Sequence, residues 1–321
     1  MSIDDRETWL QRIGELVDRA AYRQALKACD QAIVSHPDLA EAHDFRGLIL
    51  CRMGRYREAL PAYDKALRLE PEFITALLDK AELLVFYLHA DEEAIALTDR
   101  VLRLTSQDVD SAQAHHLKGI AYANLGLHEE AVRNFDVSVS LDPEYPDTHC
   151  ERGVSLFEAY RFSEALRALK SSAALDGSYA RPHHFLSALY EHLGEDVHAG
   201  READLAAELD PDSHPKPPML SEAEFAAAVA EAQHVLPREV RKAMQGVVIE
   251  TEWLPSRELL SEALARPSVM ALRREEEGRT VIVLFQRNIE RSVRTRGEVV
   301  EEVAHSIAHE LGHPEGADEG E

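Results

Sequence analysis

Small and apolar residues recur at a fixed spacing through the first two thirds of the chain. The pattern is Ala-x3-aromatic-x2-Ala-x4-Pro, and it is complete in Ala59, Tyr63, Ala66 and Pro71. Gly47 lies twelve residues before the first of these alanines. Small residues allow two antiparallel helices to approach closely, and a proline ends the second helix because it has no amide hydrogen. Each recurrence of the pattern therefore predicts one pair of helices.

The pattern divides residues 6–213 into six units. Gly119 and Gly153 are again followed by an alanine twelve residues later, and further slots recur in most units. Five units have 34 residues and the third has four more. The predicted units are 6–39, 40–73, 74–111, 112–145, 146–179 and 180–213. Because such a helix pair buries its apolar faces only against its neighbours, the sequence predicts an α-solenoid.

These slots resemble the tetratricopeptide repeat. The resemblance implies a superhelix whose inner groove binds a peptide or a protein, including a protein substrate. The expected lining comes from the second, fifth and ninth positions of the units. It comprises Glu41, Asp44, Leu48, Glu82, Gln113, His116, Ile120, Asp147, Cys150, Arg181 and His184. This composition favours basic or mixed peptides, and the alternative is that these side chains form only a solvated inner face.

Three prolines within residues 214–218 interrupt the repeats. Proline removes a backbone donor and restricts the preceding residue to extended conformations, so residues 214–220 are expected to form a linker. The linker would join a repeat domain of residues 1–213 to a second domain of residues 221–321.

The second domain alternates between helical spacing and β-branched runs. Ser221 and Glu224 have the spacing of a capping box, which predicts the start of a helix. Three strands are predicted, the last two as a hairpin, and a long helix follows them. These elements cover residues 247–249, 269–272, 280–285 and 298 to about 313. The fold class is therefore mainly α, with a solenoid followed by a small α+β domain.

The last predicted helix contains an HExxH motif over residues 309–313. A spacing of four places the imidazoles of His309 and His313 on one helical face, where both can bind one zinc ion. Glu310 can then reach a water molecule without binding the metal, as a catalytic base does. His305 is not expected to join both histidines, because its Cα would lie about 12 Å along the axis from that of His313.

A glycine and a glutamate extend the motif. Gly316 and Glu319 stand seven and ten positions after His309, so the longer string is HExxHxxGxxE. The glycine permits a sharp turn that brings a later carboxylate back to the metal. Glu319 is therefore the expected third ligand, and Asp318 is the alternative.

Around this motif the second domain resembles a bacterial family of minimal zincin-like zinc metallopeptidases with a matrix-metalloprotease-like domain. The resemblance rests on residues 236–240, 254–256, 284–291 and 302–313. It implies Zn²⁺ as the cofactor and hydrolysis of peptide bonds as the reaction. The family usually carries an aspartate as the third ligand, where this sequence has Glu319. The alternative function is a non-catalytic interaction scaffold with a degenerate zincin domain.

The strand over residues 280–285 is expected to be an extended edge that pairs with substrate by β-addition. The residues expected to contact substrate are Val281, Val283, Phe285 and Arg287. Arg287, Arg291 and Arg294 recur at helical spacing and could bind an acidic group. The favoured alternative is that they form salt bridges with neighbouring glutamates.

The net charge of the chain excludes some classes of binding partner. Lys and Arg total 35 against 59 Asp and Glu, a formal net charge of -24. An acidic surface repels phosphate backbones, so neither nucleic acid nor an anionic membrane is an expected partner. Three cysteines are too few for a disulfide framework. The N-terminus lacks the pattern of a secretory signal, and a cytoplasmic protein is expected.

Overall fold

The computed structural model describes residues 3–263, 265–276 and 278–312. The chain forms two compact units, Met1–Ser155 and Leu156–Glu321.

The first unit consists of helix pairs that follow the order of the predicted repeats, although α7 begins four residues before the predicted repeat 112–145. The first four helices are α1 (Ile3–Asp18), α2 (Tyr22–Ser35), α3 (Ala40–Arg52) and α4 (Tyr56–Leu69). They are followed by α5 (Ile74–Leu83), a π-helical turn (Leu84–Leu88) and α6 (Asp91–Leu104). The remaining helices are α7 (Asp108–Asn124), α8 (His128–Leu141) and the first part of α9 (Pro146–Glu158).

The glycine slot of the repeat receives an aromatic ring from the partner helix. A Cβ atom added at Gly47 would lie 2.6 Å from the Tyr63 ring, and one at Gly119 would lie 2.6 Å from the Phe135 ring. Both distances are below those that real Cβ atoms show. The close approach that the spacing predicts is therefore confirmed at these two pairs.

The third repeat differs from the others between its two helices, although most of its extra length lies further on, where α7 has 17 residues against 13 in α3. After α5 the chain widens into the π-helical turn Leu84–Leu88, and His89 follows with a left-handed φ of 50°. Such turns are single widened segments inside or at the end of α-helices. Phe86 and Tyr87 of this turn are both exposed on the surface of the first compact unit.

The second unit contains the last repeat helices and a three-stranded sheet. Its helices before the sheet are α10 (Phe162–Leu175), α11 (Ala180–His192), α12 (Asp196–Leu209), α13 (Glu222–Val235) and α14 (Arg238–Ala243). The elements that follow are β1 (Val248–Glu252), α15 (Arg257–Ala263), β2 (Ala271–Glu276), β3 (Arg279–Phe285), α16 (Gln286–Ser292) and α17 (Arg296–Glu310). The predicted fold class, a helical solenoid followed by a small α+β part, is confirmed.

The sheet has the strand order β1-β3-β2. β2 and β3 form the predicted antiparallel hairpin, whereas β1 pairs with β3 in parallel. Alternate residues of β3 face opposite sides of the sheet, as the pleat requires. Ile282 and Leu284 belong to the core that includes buried residues of α13 and α17. The sheet therefore holds α17, the helix that carries the motif, along its apolar face.

Within this second unit, the repeat helix α11 contacts α16. Glu191 of α11 forms ion pairs with Arg287 at 2.9 Å and with Arg291 at 2.8 Å. All three side chains are buried or nearly so. The last repeat helices thus share a compact unit with the sheet, although the sequence-based division lies at residue 213.

Candidate metal centre

The apolar face of α17 decides which motif residues reach the surface. Val299, Val303 and Ile307 recur every four residues and are fully buried in the core of the second unit. Residues two positions away from this stripe lie on the opposite face of a helix. Accordingly, His305 and His309 are exposed. His305 is therefore a surface residue.

His309 and Glu310 form the described part of the candidate centre. The His309 side chain is 71% exposed and that of Glu310 is 20% exposed. The imidazole Nδ1 lies 3.5 Å from Glu310 Oε1, which is longer than a normal hydrogen bond. An accessible imidazole with a carboxylate beside it is suited to bind a metal ion and to accept a proton from water.

The helix ends between the two motif histidines. α17 stops at Glu310, and Gly312 has a left-handed φ of 76° with its N–H donating to the His309 carbonyl at 2.9 Å. A glycine in this conformation is a common helix terminator. The predicted continuation of the helix to about His313 is therefore wrong. The free carbonyls of a helix C-terminus carry partial negative charge, which favours a cation nearby.

The other predicted metal ligands, His313 and Glu319, lie outside the described residues, as does Asp318. Within residues 3–263, 265–276 and 278–312, no group of three His, Cys, Asp or Glu side chains could hold a metal. The chemistry of the predicted donor set, imidazole nitrogen and carboxylate oxygen, is that of a zinc site. The described member of that set, His309, fits it because its side chain is accessible.

The predicted substrate-binding strand is not an edge. β3 is paired on both sides, and Val281, Val283 and Phe285 are buried with at most 3% exposure. A strand whose backbone groups are already paired cannot accept another strand. The expectation of β-addition to β3 is therefore wrong, as is the expectation that these three side chains contact substrate.

Arg287 is also unavailable to a substrate. Its side chain is 4% exposed, and its Nη1 lies 3.1 Å from Glu290 in addition to the ion pair with Glu191. The salt-bridge interpretation is confirmed for Arg287 and Arg291. Sequence analysis missed Glu191, because a partner 96 residues away leaves no local pattern.

Several residues expected to line the repeat groove are buried instead. They are Asp44, His116, Ile120 and Cys150, each at most 6% exposed. Two other expected lining residues, Leu48 and Glu82, do border a pocket beside the π-helical turn, and sequence analysis missed the turn residue Tyr87 in its lining.

Comparisons with known families agree with both halves of the chain. Residues 40–73 and 112–145 match the tetratricopeptide repeat, and residues 244–321 match the family described as zincin-like metallopeptidase. The recognised combination of repeats with a zincin-like domain is confirmed.

The chain is similar in sequence to one TPR repeat-containing protein and in fold to two solved structures. A TPR repeat-containing thioredoxin of Arabidopsis thaliana is 34% identical over 92 residues, 29% of this chain and only 13% of that protein. The structure of PilW, a type IV pilus biogenesis factor, matches with a TM-score of 0.62 and 20% identity over 67% of this chain and 97% of that chain. The structure of PilF from Pseudomonas aeruginosa gives 0.59 and 19% over 70% of this chain and 97% of that chain. At these identities the two structures show the fold alone.

In the described ranges, the helices are too short or too polar to cross a bilayer.

Proposed function

We propose that this chain, with its tetratricopeptide repeats and zincin-like metallopeptidase domain, is a zinc-dependent peptidase that binds a protein substrate through the repeats. The observation that supports this most directly is the exposed His309 beside Glu310, at the end of a helix anchored by its opposite face. Both residues lie in the segment that matches the metallopeptidase family. Cytoplasmic location remains a prediction.

His309, His313 and Glu319 would hold Zn²⁺, with Asp318 as the alternative to Glu319. When bound there, the ion would lower the pKa of a water molecule towards about 7 and polarise a peptide carbonyl. Nitrogen ligation requires neutral imidazoles, so both histidines must be unprotonated for binding.

Glu310 performs the proton transfers. Its carboxylate takes a proton from the water that attacks the peptide carbon, and it returns that proton to the nitrogen of the leaving amine. The side chain is partly exposed and lies at the end of α17, so solvent and a peptide bond can approach it. The core anchors α17 through Val299, Val303 and Ile307, which limits the movement of the helix that carries Glu310.

Elemental analysis and a pair of matched variants test this function. The purified full chain should hold about one zinc per chain, His309→Ala should lose it, and Glu310→Gln should keep it while abolishing cleavage. His305→Ala is the control, because it removes an exposed histidine from the same helix. New peptide termini in cells expressing wild type, compared with Glu310→Gln, report cleavage without a known substrate. A wild-type chain that takes up no zinc contradicts the proposal.

The alternative is an interaction scaffold without catalysis. The paired position of β3 favours it, because the strand expected to bind substrate has no free edge. Under this alternative, cells expressing wild type and Glu310→Gln would contain the same peptide termini.

A further inference from the structure

A pocket of about 300 Å³ lies between α3, α4, α5 and the π-helical turn. Tyr56 of α4 and Tyr87 of the turn form part of its lining, and their rings stack with centroids 4.0 Å apart and planes inclined by 13°. Tyr87 is 46% exposed, so one ring face of the pair remains accessible. The face of a phenol ring is electron-rich and attracts cations.

Carboxyl groups lie beside these rings. Asp79 and Glu82 of α5 line the pocket. Burial, reinforced by the negative charge of Glu82, raises the pKa of Asp79 to about 7, and burial also raises the pKa of Glu82. Both carboxyls would therefore be stabilised by a cation that enters the pocket.

A third carboxyl, outside the pocket lining, is close enough to Asp79 to be influenced by its charge. Asp44 of α3 is 6% exposed, and its Oδ1 is buried without a hydrogen-bond partner in the described part of the chain. Burial and the nearby charges of Asp79 and Glu41 raise its pKa to about 8. A buried Oδ1 atom without a partner beside this pocket indicates that a hydrogen-bond donor is missing from this region.

The basic residues nearby neutralise these carboxyl groups only in part. Arg52 lines the pocket and lowers the pKa of Asp79 and Glu82, but its side chain is exposed to solvent. Lys80 is committed elsewhere, because its ammonium group pairs with Asp64 at 3.0 Å and Glu93 at 2.6 Å. In the described part of the chain, the exposed guanidinium of Arg52 thus faces the two carboxyl groups of the pocket, Asp79 and Glu82.

We propose that this pocket binds an arginine side chain of the protein recruited by the repeats. The proposal rests on the proposed function only in assuming that the repeats recruit a protein. The guanidinium stacks on Tyr87 and donates N–H groups to Asp79 and Glu82. Arginine suits this lining better than lysine, because its planar group both stacks on aromatic rings and donates several hydrogen bonds in fixed directions. The chain's net charge of -24 also favours a basic partner.

The test uses the full chain labelled with ¹³C-tyrosine and a small probe, N-acetyl-arginine amide. Addition of the probe should shift the NMR signals of Tyr56 and Tyr87 in a saturable manner. N-acetyl-citrulline amide has nearly the same shape without the charge, and it should bind at least about tenfold more weakly. Equal affinities for the two probes would overturn the proposal. Equal affinity for N-acetyl-lysine amide would overturn the choice of arginine.

Charge variants test the assigned residues. Asp79→Asn and Glu82→Gln should each weaken arginine binding about tenfold, whereas Arg52→Gln should strengthen it because a competing cation is removed. Glu92→Gln, an exposed carboxyl in the first turn of α6, changes the net charge equally and should leave affinity unchanged. If Glu92→Gln weakens arginine binding to the same extent, overall charge explains the effect and the assignment of the site is wrong.

Thermal stability separates binding from folding. Asp79→Asn removes a carboxyl from a negatively charged region, so the free variant should melt no lower than wild type while its affinity falls. A lower melting temperature together with lost binding would assign Asp79 a structural role and contradict the proposal. The assay requires no zinc, so it can fail or succeed independently of the peptidase function.

Discussion

Arg287 and Glu191 form a buried ion pair, with Nε 2.9 Å from Oε1 and side-chain exposures of 4% and 10%. Arg291 donates to the same carboxylate at 2.9 Å, so one carboxylate holds two guanidinium groups. The pairs join the repeat helix α11 to α16, which follows the central strand. The segment that matches the metallopeptidase family is thereby attached to the last repeat by charge as well as by the linker.

Glu191→Gln should destabilise the second unit by about 3–5 kcal/mol, because two guanidinium groups would stay buried without their carboxylate. Hydrogen exchange at the amides of α16 measures the effect in the full chain. Glu195→Gln is the matched control, since this carboxylate is 46% exposed in the turn before α12. Equal loss of protection in both variants would show that the ion pair does not stabilise this contact.

A fragment that ends at residue 213 lacks Arg287 and Arg291. We expect α11 and α12 in this fragment to exchange their amide hydrogens faster than in the full chain, while the helices of the first unit stay protected. Circular dichroism should still show a helical fragment, because neighbouring helix pairs stabilise one another. Unchanged protection of α11 would mean that the last repeat needs nothing from α16.

The raised pKa of Asp44, about 8, predicts how the stability of the first unit depends on pH. In the folded state Asp44 keeps its proton above the usual pKa of 3.8. The contribution of this proton to the free energy of unfolding is therefore complete at low pH and is lost as the pH rises through about 8. Asp44→Asn should therefore raise the free energy of unfolding by about 1–3 kcal/mol at pH 8 and change it little at pH 4.

Urea denaturation at the two pH values measures this difference. Glu72→Gln, an exposed carboxyl in the turn before α5, should have no such pH-dependent effect. An equal gain from Asp44→Asn at pH 4 would exclude deprotonation as the cause.

The repeats could be predicted in detail because their slots are local. The ring of Tyr63 on Gly47 follows from a spacing within one unit, and the structure confirms it. The stack of Tyr56 on Tyr87 could not be predicted, because it joins two repeats and depends on the π-helical turn after α5.

In the sheet, too, only contacts between neighbouring segments of the chain could be predicted. The hairpin of β2 and β3 is local and was predicted, whereas the parallel pairing of β1 with β3 joins distant segments. That pairing moved Val281 and Phe285 from an expected edge to the centre. Likewise, the helical spacing of Arg287 and Arg291 indicated salt bridges but could not identify Glu191 as their partner.

The proposed metal centre is completed by a third zinc ligand, for which the sequence offers Glu319 and Asp318. We propose Glu319 rather than Asp318, because Gly316 permits a turn and Glu319 stands at the tenth position after His309. Glutamate is one methylene longer than the aspartate usual in the resembled family, so the backbone can lie slightly further from the ion. The early end of α17 at Glu310 is compatible with such a turn, since the chain has already left the helix before residue 313.

Glu319→Ala should therefore lower zinc affinity by about 10–100-fold or more, while Asp318→Ala should change it little. Competition with a chromogenic chelator measures both affinities in the full chain, and His305→Ala again controls for loss of a surface side chain. A chain truncated after Gly316 should behave like Glu319→Ala. If the truncated chain binds zinc as tightly as wild type, the third ligand comes from elsewhere in the protein or from water.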